Sequence, residues 1–177
     1  MDFPALYAEA EAEISKGARA LRRWTPAQTR ELILALNSTH PHFREALRLV
    51  GLSHIEREFA PAIEALLIVQ TPEEQLVDAL HACQRHVVQA RLKEGLRLSA
   101  EFLERLQQLL RHGSPLVVEW VLRTIDEAGA QGVFFRPQLA QVRPSVFSLW
   151  RAQSRTILEL VTMLERKWAP RDVQKPR

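Results

Sequence analysis

The chain has 177 residues, about one domain by length, with 46% apolar and 25% charged residues and a formal net charge of +3. These proportions are typical of a folded globular protein and exclude a disordered chain of low hydrophobicity. The longest stretch without Asp, Glu, Lys or Arg covers twelve residues, 32–43, fewer than the ~20 apolar residues that a membrane-spanning helix needs. We therefore expect no membrane span.

Apolar residues recur at helical rather than alternating spacing in almost every segment, which predicts an all-α fold. The first apolar stripe begins at Phe3, after Asp2 and with Pro4 at a position that favours a helix start, and it extends to Leu21. The predicted helices are 3–21, 26–37, 41–50, 55–69, 72–92, 99–112, 115–128, 133–142 and 144–168.

Several of these helices carry local start and stop signals. Thr25-Pro26-Ala27-Gln28 has the pattern of a capping box with proline at the first helical position. Thr71-Pro72-Glu73-Glu74 and Ser114-Pro115 predict two further starts, and Ser99 predicts another. Gly129 follows the helix at 115–128, where glycine is favoured as a terminator.

Prolines and the C-terminal region modify the regular helical pattern. Pro61 predicts either a kink or the first turn of a helix, and Pro137 weakens the helical signal over 134–141. The last helix is predicted to begin near Pro144, with Trp150 and Ile157 on its core side. We expect residues 169–177 to form a basic flexible tail after a single helical domain at 1–168.

After the first helix, the predicted helices fall into four short-loop pairs. The second members begin at Pro41, Pro72, Pro115 and Pro144, with separations of 31, 43 and 29 residues. Helix–turn–helix units that recur at such periods are typical of an α-α superhelix. A compact irregular bundle is the alternative.

The residues of two second helices, Pro41–Gly51 and Ser114–Gly129, resemble those of the HEAT-like, or armadillo-type, α-helical repeat superfamily. Pro61 and Pro137 lie where this superfamily often places a proline in the first helix. The usual Asp between paired helices is missing, and only Arg44 matches the usual Arg. The resemblance covers residues 25–168 and implies a stack of helical hairpins that serves as a binding surface.

No catalytic pattern stands out. The six glycines form neither GxGxxG nor GxxxxGK[ST], and GxSxG is absent. Cys83 has His86 one helical turn away, but it shares an apolar stripe with Leu80 and Val87, so we interpret it as a core residue. The imidazoles at 40, 42 and 54 match no metal-ligand spacing. We expect no catalytic residue, no metal and no cofactor.

The distribution of charge is more informative than its total. Residues 1–88 carry a net −3 and residues 89–177 a net +6, and no acidic residue occurs over 128–158. Arginine provides 20 of the 24 cations, which favours anion recognition, although a GC-rich genome produces the same bias. The candidate binding residues in this acid-free segment are Arg136, Arg143, Arg151, Arg155, Phe134 and Phe135.

Two functions remain open. The first is a non-enzymatic protein-interaction module, an adaptor or scaffold, whose Arg-rich segment binds an acidic or extended partner. The alternative is a nucleic-acid-binding HEAT-like protein, similar in repeat type to the alkylpurine DNA glycosylases and supported by a pI of about 9.5.

Two further expectations concern assembly and location. Trp24 and Trp168 lie near the two ends of the predicted domain and are candidates for a homodimer contact. Because Cys83 is the single cysteine, no internal disulfide can form, and the first fourteen residues contain four acids where a signal peptide is basic. We therefore expect a cytoplasmic protein.

Overall fold

The computed structural model describes residues 1–15, 22–148 and 150–169, and regular structure in these ranges is helical. This confirms the all-α class. The described residues contain an isolated parallel β-bridge between Arg22 and Ser53 but no β-strand. The predicted tail lies outside the described residues except for Ala169, and so do the last residues of the first predicted stripe.

Helices follow one another with short connections throughout the described ranges. The segments Glu73–Cys83, Gln84–Gln89, which is π-helical, and Ala90–Lys93 follow one another without a break and form one continuous helix. Counted in this way, the described residues contain nine helices. The helices are α1 (Phe3–Ser15), α2 (Pro26–Ala35), α3 (Phe43–Gly51), α4 (Ala60–Leu66), α5 (Glu73–Cys83), α6 (Ala90–Lys93), α7 (Ala100–Leu109), α8 (Pro115–Glu127), α9 (Arg136–Val142) and α10 (Ala152–Lys167).

Most of the predicted caps are present. The Thr25 side chain accepts from the Gln28 backbone N–H, and the Gln28 side chain accepts in return, as in a capping box. Ser99 and Ser114 cap α7 and α8. The cap predicted at Thr71 is wrong, because its hydroxyl donates to the Leu66 carbonyl oxygen at 2.9 Å and α5 begins only after Pro72.

Two turns show how local chemistry ends or delays a helix. Gly129 follows α8 with a φ of +60°, a conformation that glycine adopts without a Cβ penalty. Pro61 lies in the first turn of α4, one of its two predicted positions. A 3-10 turn, Arg57–Phe59, precedes α4, so this helix is shorter than the predicted 55–69.

The last helix begins later than predicted, at Ala152 rather than near Pro144. Residues Val146–Ser148 instead form a 3-10 turn in which the Ser148 hydroxyl donates to the Ser145 carbonyl oxygen at 2.8 Å. Such local side-chain hydrogen bonds compete with helix formation. As a consequence Trp150 is 75% exposed, and its predicted place on the core side is wrong.

Helices α3, α5, α8 and α10 contact one another in that order, with α1 against α3. Each of the four also packs against the helix before it in the sequence, α2, α4, α7 and α9 respectively. All four predicted pairs are therefore in contact. One hydrophobic cluster extends from Phe3 to Trp168 through this arrangement, and Phe59 and Phe102 are among its fully buried members.

Candidate functional site

The connection between α9 and α10 exposes two large aromatic side chains. Phe147 is 91% exposed and Trp150 is 75% exposed. The guanidinium carbon of Arg151 lies 5.0 Å from the centroid of the Trp150 ring, within the range of a cation–π contact. Arg155 is exposed in the first turn of α10, and its backbone N–H donates to the Arg151 carbonyl oxygen at 3.2 Å. We call these four residues the aromatic–arginine surface.

This surface borders the N-terminus of a second helix. Arg151 lines a cavity of about 730 Å³ together with Ser114 and Pro115 at the start of α8 and Ser154 of α10. The N-terminus of a helix carries a partial positive charge that favours anions. The helix terminus and Arg151 contribute positive charge to this cavity, and Glu73, which also lines it, contributes a negative one.

The other candidate arginines lie apart from this surface. Arg143 forms an ion pair with Glu165 of α10. The acid-free segment of the sequence is therefore in contact with an acidic residue in the folded chain. Glu165 follows Arg155 by ten residues, about 15 Å along the helix axis. Arg136 is exposed at the start of α9. The structure thus places Arg151 and Arg155 one helical turn apart at the start of α10, whereas Arg143, at the end of α9, lies against the C-terminal half of α10.

The two candidate phenylalanines have different environments. Phe135 is fully buried and belongs to the hydrophobic core, so its predicted place on a binding surface is wrong. Phe134 is 46% exposed, and its ring meets that of Phe135 edge-on at 5.1 Å. Phe147, a more exposed aromatic residue in the same acid-free segment, was not among the predicted binding residues. Pro144, Ser145 and Ser148 around it were the signal for a break between helices.

The thiol of Cys83 is fully buried, which confirms its assignment to the core. Burial raises the pKa of Cys83 well above its ordinary value of 9.0, so the thiolate needed for nucleophilic chemistry is disfavoured. The adjacent imidazole of His86 is fully buried and engaged with backbone groups. The structure therefore assigns both groups to packing.

His86 connects the π-helical segment to the region after α3. Its Nε2 lies 2.8 Å from the Val50 carbonyl oxygen, and its Nδ1 lies 3.1 Å from both the backbone nitrogen and the carbonyl oxygen of Glu56. In the tautomer with the proton on Nε2, the ring donates to Val50 and accepts from the Glu56 N–H. This pairing requires the neutral ring. The Phe59 ring packs edge-on against the imidazole at 5.1 Å. The sequence pattern identifies His86 only as a neighbour of Cys83, because its partners Val50 and Glu56 lie 36 and 30 positions away in the chain.

Stability is expected to decrease when the pH falls below about 6.5. Burial lowers the pKa of His86 below this value and outweighs the hydrogen bonds to the Val50 and Glu56 backbone, which raise the pKa. Burial also lowers the pKa of His81. Because the unfolded chain then binds more protons than the folded chain, the contribution of these groups is complete above pH 6.5 and is lost at lower pH.

Urea unfolding measured between pH 5 and 7.5 tests this prediction. The His86→Gln variant should lose less unfolding free energy on acidification than the wild type, because it lacks the titrating ring. An equal loss in both proteins would show that His86 does not contribute to the pH dependence.

The predicted imidazole group does not converge on a metal site. His40 and His42 pack on the Phe3 ring with centroid distances of 5.9 and 5.7 Å, and the His40 Nδ1 accepts from the His42 backbone N–H. Among the described residues, no group of three or more His, Cys, Asp or Glu side chains is arranged to hold a metal ion.

The tryptophans considered for a dimer contact are not equally accessible. Trp168 is 8% exposed and its ring lies against Gly132, so little of its surface is accessible to a partner. Trp24 is half-buried and packs against the hydrophobic core. Neither presents the open aromatic surface that Trp150 does.

In the ranges that the structure covers, no helix has both the length and the apolar composition needed to cross a membrane.

Comparisons with known proteins add no assignment to this geometry. No protein-family model matches the chain, and neither a curated protein nor a solved structure is significantly similar to it.

Proposed function

We propose that this chain is a non-enzymatic protein-interaction module, an adaptor or scaffold, that binds an acidic, extended segment of a partner through the aromatic–arginine surface. The observation that carries the proposal is the exposure of Phe147 and Trp150 beside Arg151 and Arg155. Trp and Arg are the residue types that contribute most to protein–protein binding energy. Two large aromatic side chains exposed within four residues of each other in the chain are unusual unless a partner covers them.

The charges favour an acidic partner. Within the described residues, neither Arg151 nor Arg155 has a carboxylate within ion-pair distance. Two guanidinium groups can form bidentate hydrogen bonds with Asp, Glu or phosphorylated side chains. The Trp150 ring holds the Arg151 guanidinium by a cation–π contact, which lowers the entropy lost when a carboxylate binds.

The proposed scaffold is an α-α superhelix of HEAT-like helical hairpins. The contact order α3, α5, α8, α10, with the preceding helix packed on each member, is the one expected for stacked hairpins. Such a stack exposes the loops within its hairpins along one edge. The aromatic–arginine surface lies in the loop of the last pair, so an extended partner can reach it without opening the core.

Single-stranded nucleic acid is the second candidate, and the exposed Trp150 favours it. An indole ring next to arginines can stack on a base while the cations bind phosphates. This candidate predicts strong salt dependence and binding to any sequence. Direct binding assays separate the two candidates.

The Arg151→Glu/Arg155→Glu variant is expected to bind an acidic partner segment at least tenfold more weakly than the wild type, because two attractive charges become repulsive. Fluorescence anisotropy with a labelled Asp/Glu-rich peptide and with labelled oligo-dT measures both candidates. The Trp150→Ala variant should weaken binding of the preferred ligand by about 2 kcal/mol, roughly thirtyfold.

A matched control is Arg30→Glu/Arg97→Glu, which makes the same charge change at two exposed arginines on other parts of the surface. This control should retain binding. Tighter binding to oligo-dT than to the acidic peptide would favour nucleic acid. Equal loss in both double variants would mean that only overall charge matters, and the proposed surface would be wrong.

A further inference from the structure

A second cavity, of about 550 Å³, lies between α1, α3 and α5, away from the aromatic–arginine surface. Tyr7 and Glu11 of α1, Arg48 of α3 and Asp78 and His81 of α5 line it. Three helices that are distant in sequence therefore contribute polar groups to one concave surface. Cavities of this volume that lie between helices commonly bind ligands.

The polar groups form a chain across the three helices. The Tyr7 hydroxyl donates to the Glu11 carboxylate and accepts from an Arg48 guanidinium N–H at 3.0 Å. Arg48 Nε donates to Asp78 at 3.3 Å. Burial, with the hydrogen bond to Glu11, raises the pKa of Tyr7, so the hydroxyl remains protonated as this arrangement requires. These contacts fix the position of the Arg48 guanidinium and pair its positive charge with Asp78.

The net charge of the lining is negative. Two carboxylates, Glu11 and Asp78, face one guanidinium, Arg48, while burial lowers the pKa of His81 and keeps that ring neutral at pH 7. The excess charge is therefore −1. The N-terminal half of the chain, to which the whole cavity belongs, also carries a net −3. A cationic group would be attracted here and an anionic group repelled.

The remaining walls are apolar. Ile14, 49% exposed, half-buried Leu52 and buried Leu47 line the same cavity as the carboxylates. Gly51 leaves room next to His81, because a Cβ there would lie 3.3 Å from His81 Nδ1. A long cationic side chain has the matching structure, an apolar stem that packs along such walls and a charged end that reaches the carboxylates.

We propose that this cavity binds an arginine side chain presented by a basic segment of a second protein. Its stem would pack against Ile14 and Leu52, and its guanidinium would contact Glu11 and Asp78. The site is independent of the aromatic–arginine surface and has the opposite charge preference. The module would then carry two sites, one for a basic segment in its acidic half and one for an acidic segment in its basic half.

Titration with a blocked Leu-Arg-Leu tripeptide, followed by two-dimensional amide NMR, tests the proposal. We expect saturable shifts at the Gly51 and Leu52 amides. Replacing the arginine by citrulline, which has the same shape without the charge, should weaken binding at least tenfold, and glutamate should abolish it. Free arginine should bind at least fivefold more weakly than the tripeptide. Equal binding of free arginine or the glutamate peptide would overturn the proposal.

Variants locate the site. Glu11→Gln/Asp78→Asn should reduce affinity for the tripeptide at least tenfold, whereas Glu101→Gln/Glu104→Gln, the same change at exposed acids of α7, should leave it unchanged. Retention of wild-type affinity by a folded Glu11→Gln/Asp78→Asn variant contradicts the proposal.

A second pair of variants avoids the residues of the hydrogen-bonded chain. Ile14 is exposed on α1, so substitutions there should leave the fold intact. Ile14→Lys places a tethered cation at the cavity and should abolish tripeptide binding, whereas Ile14→Gln, of similar length without charge, should retain at least a third of the affinity. Equal affinities in the two variants would show that the cavity does not select a cation.

Discussion

Replacement of His86 by alanine is expected to lower the free energy of unfolding by about 3 kcal/mol. The change removes a fully buried ring that packs on Phe59 and leaves a cavity in its place. It also removes the acceptor of the Glu56 backbone N–H and a donor to the Val50 carbonyl oxygen. The Val50 oxygen keeps the Ser53 hydroxyl as a partner at 2.6 Å, so the unpaired Glu56 N–H is the larger polar loss.

Urea denaturation followed by circular dichroism at pH 7.5 measures this effect. His86→Gln should recover part of the stability, because its amide can still donate to a carbonyl oxygen. His54→Ala, at a half-buried histidine, is the control and should cost less than about 1 kcal/mol. A loss in His86→Ala no greater than in this control would mean that the network contributes little to folding.

Gly132→Ala is expected to destabilise the C-terminal part of the core by about 3 kcal/mol, at the upper end for overpacking. A Cβ at Gly132 would lie 2.6 Å from the Ile125 carbonyl oxygen and 2.6 Å from Cζ2 of Trp168. The first contact is with backbone and cannot be relieved by a side-chain rotation. The segment between α8 and α9 would therefore have to move away from α8 and from the end of α10.

The matched control is Gly113→Ala, because no atom lies within 4 Å of the Cβ position at Gly113. This variant should remain within about 0.5 kcal/mol of the wild type. Adding Trp168→Phe to Gly132→Ala should restore part of the stability relative to the sum of the single changes, because the shorter ring removes one of the two close contacts. Additive losses would show that Trp168 does not contribute to the clash.

The sequence was sufficient to predict local structure where the signals are contained in a few adjacent residues. The Thr25–Gln28 capping box and the Ser99 and Ser114 caps depend on hydrogen bonds between residues three positions apart. These caps can therefore be predicted without knowledge of the tertiary structure. Helical spacing likewise predicted the all-α class and the four contacting helix pairs. The same spacing was misleading at Trp150, where the helical pattern continued through a segment that local hydrogen bonds fold into a 3-10 turn.

Tertiary structure alone decided which side chains meet across the helices. Arg143 lies in an acid-free segment but pairs with Glu165, and Phe135 enters the core while Phe134 remains partly exposed. The chain of contacts from Tyr7 through Arg48 to Asp78 joins residues 41 and 30 positions apart. Burial and ion pairing depend on packing between distant segments, whereas helix caps depend on neighbours in the chain. The sequence alone therefore determined the helices and most of their limits, and only the packed structure determined the two surfaces proposed for binding.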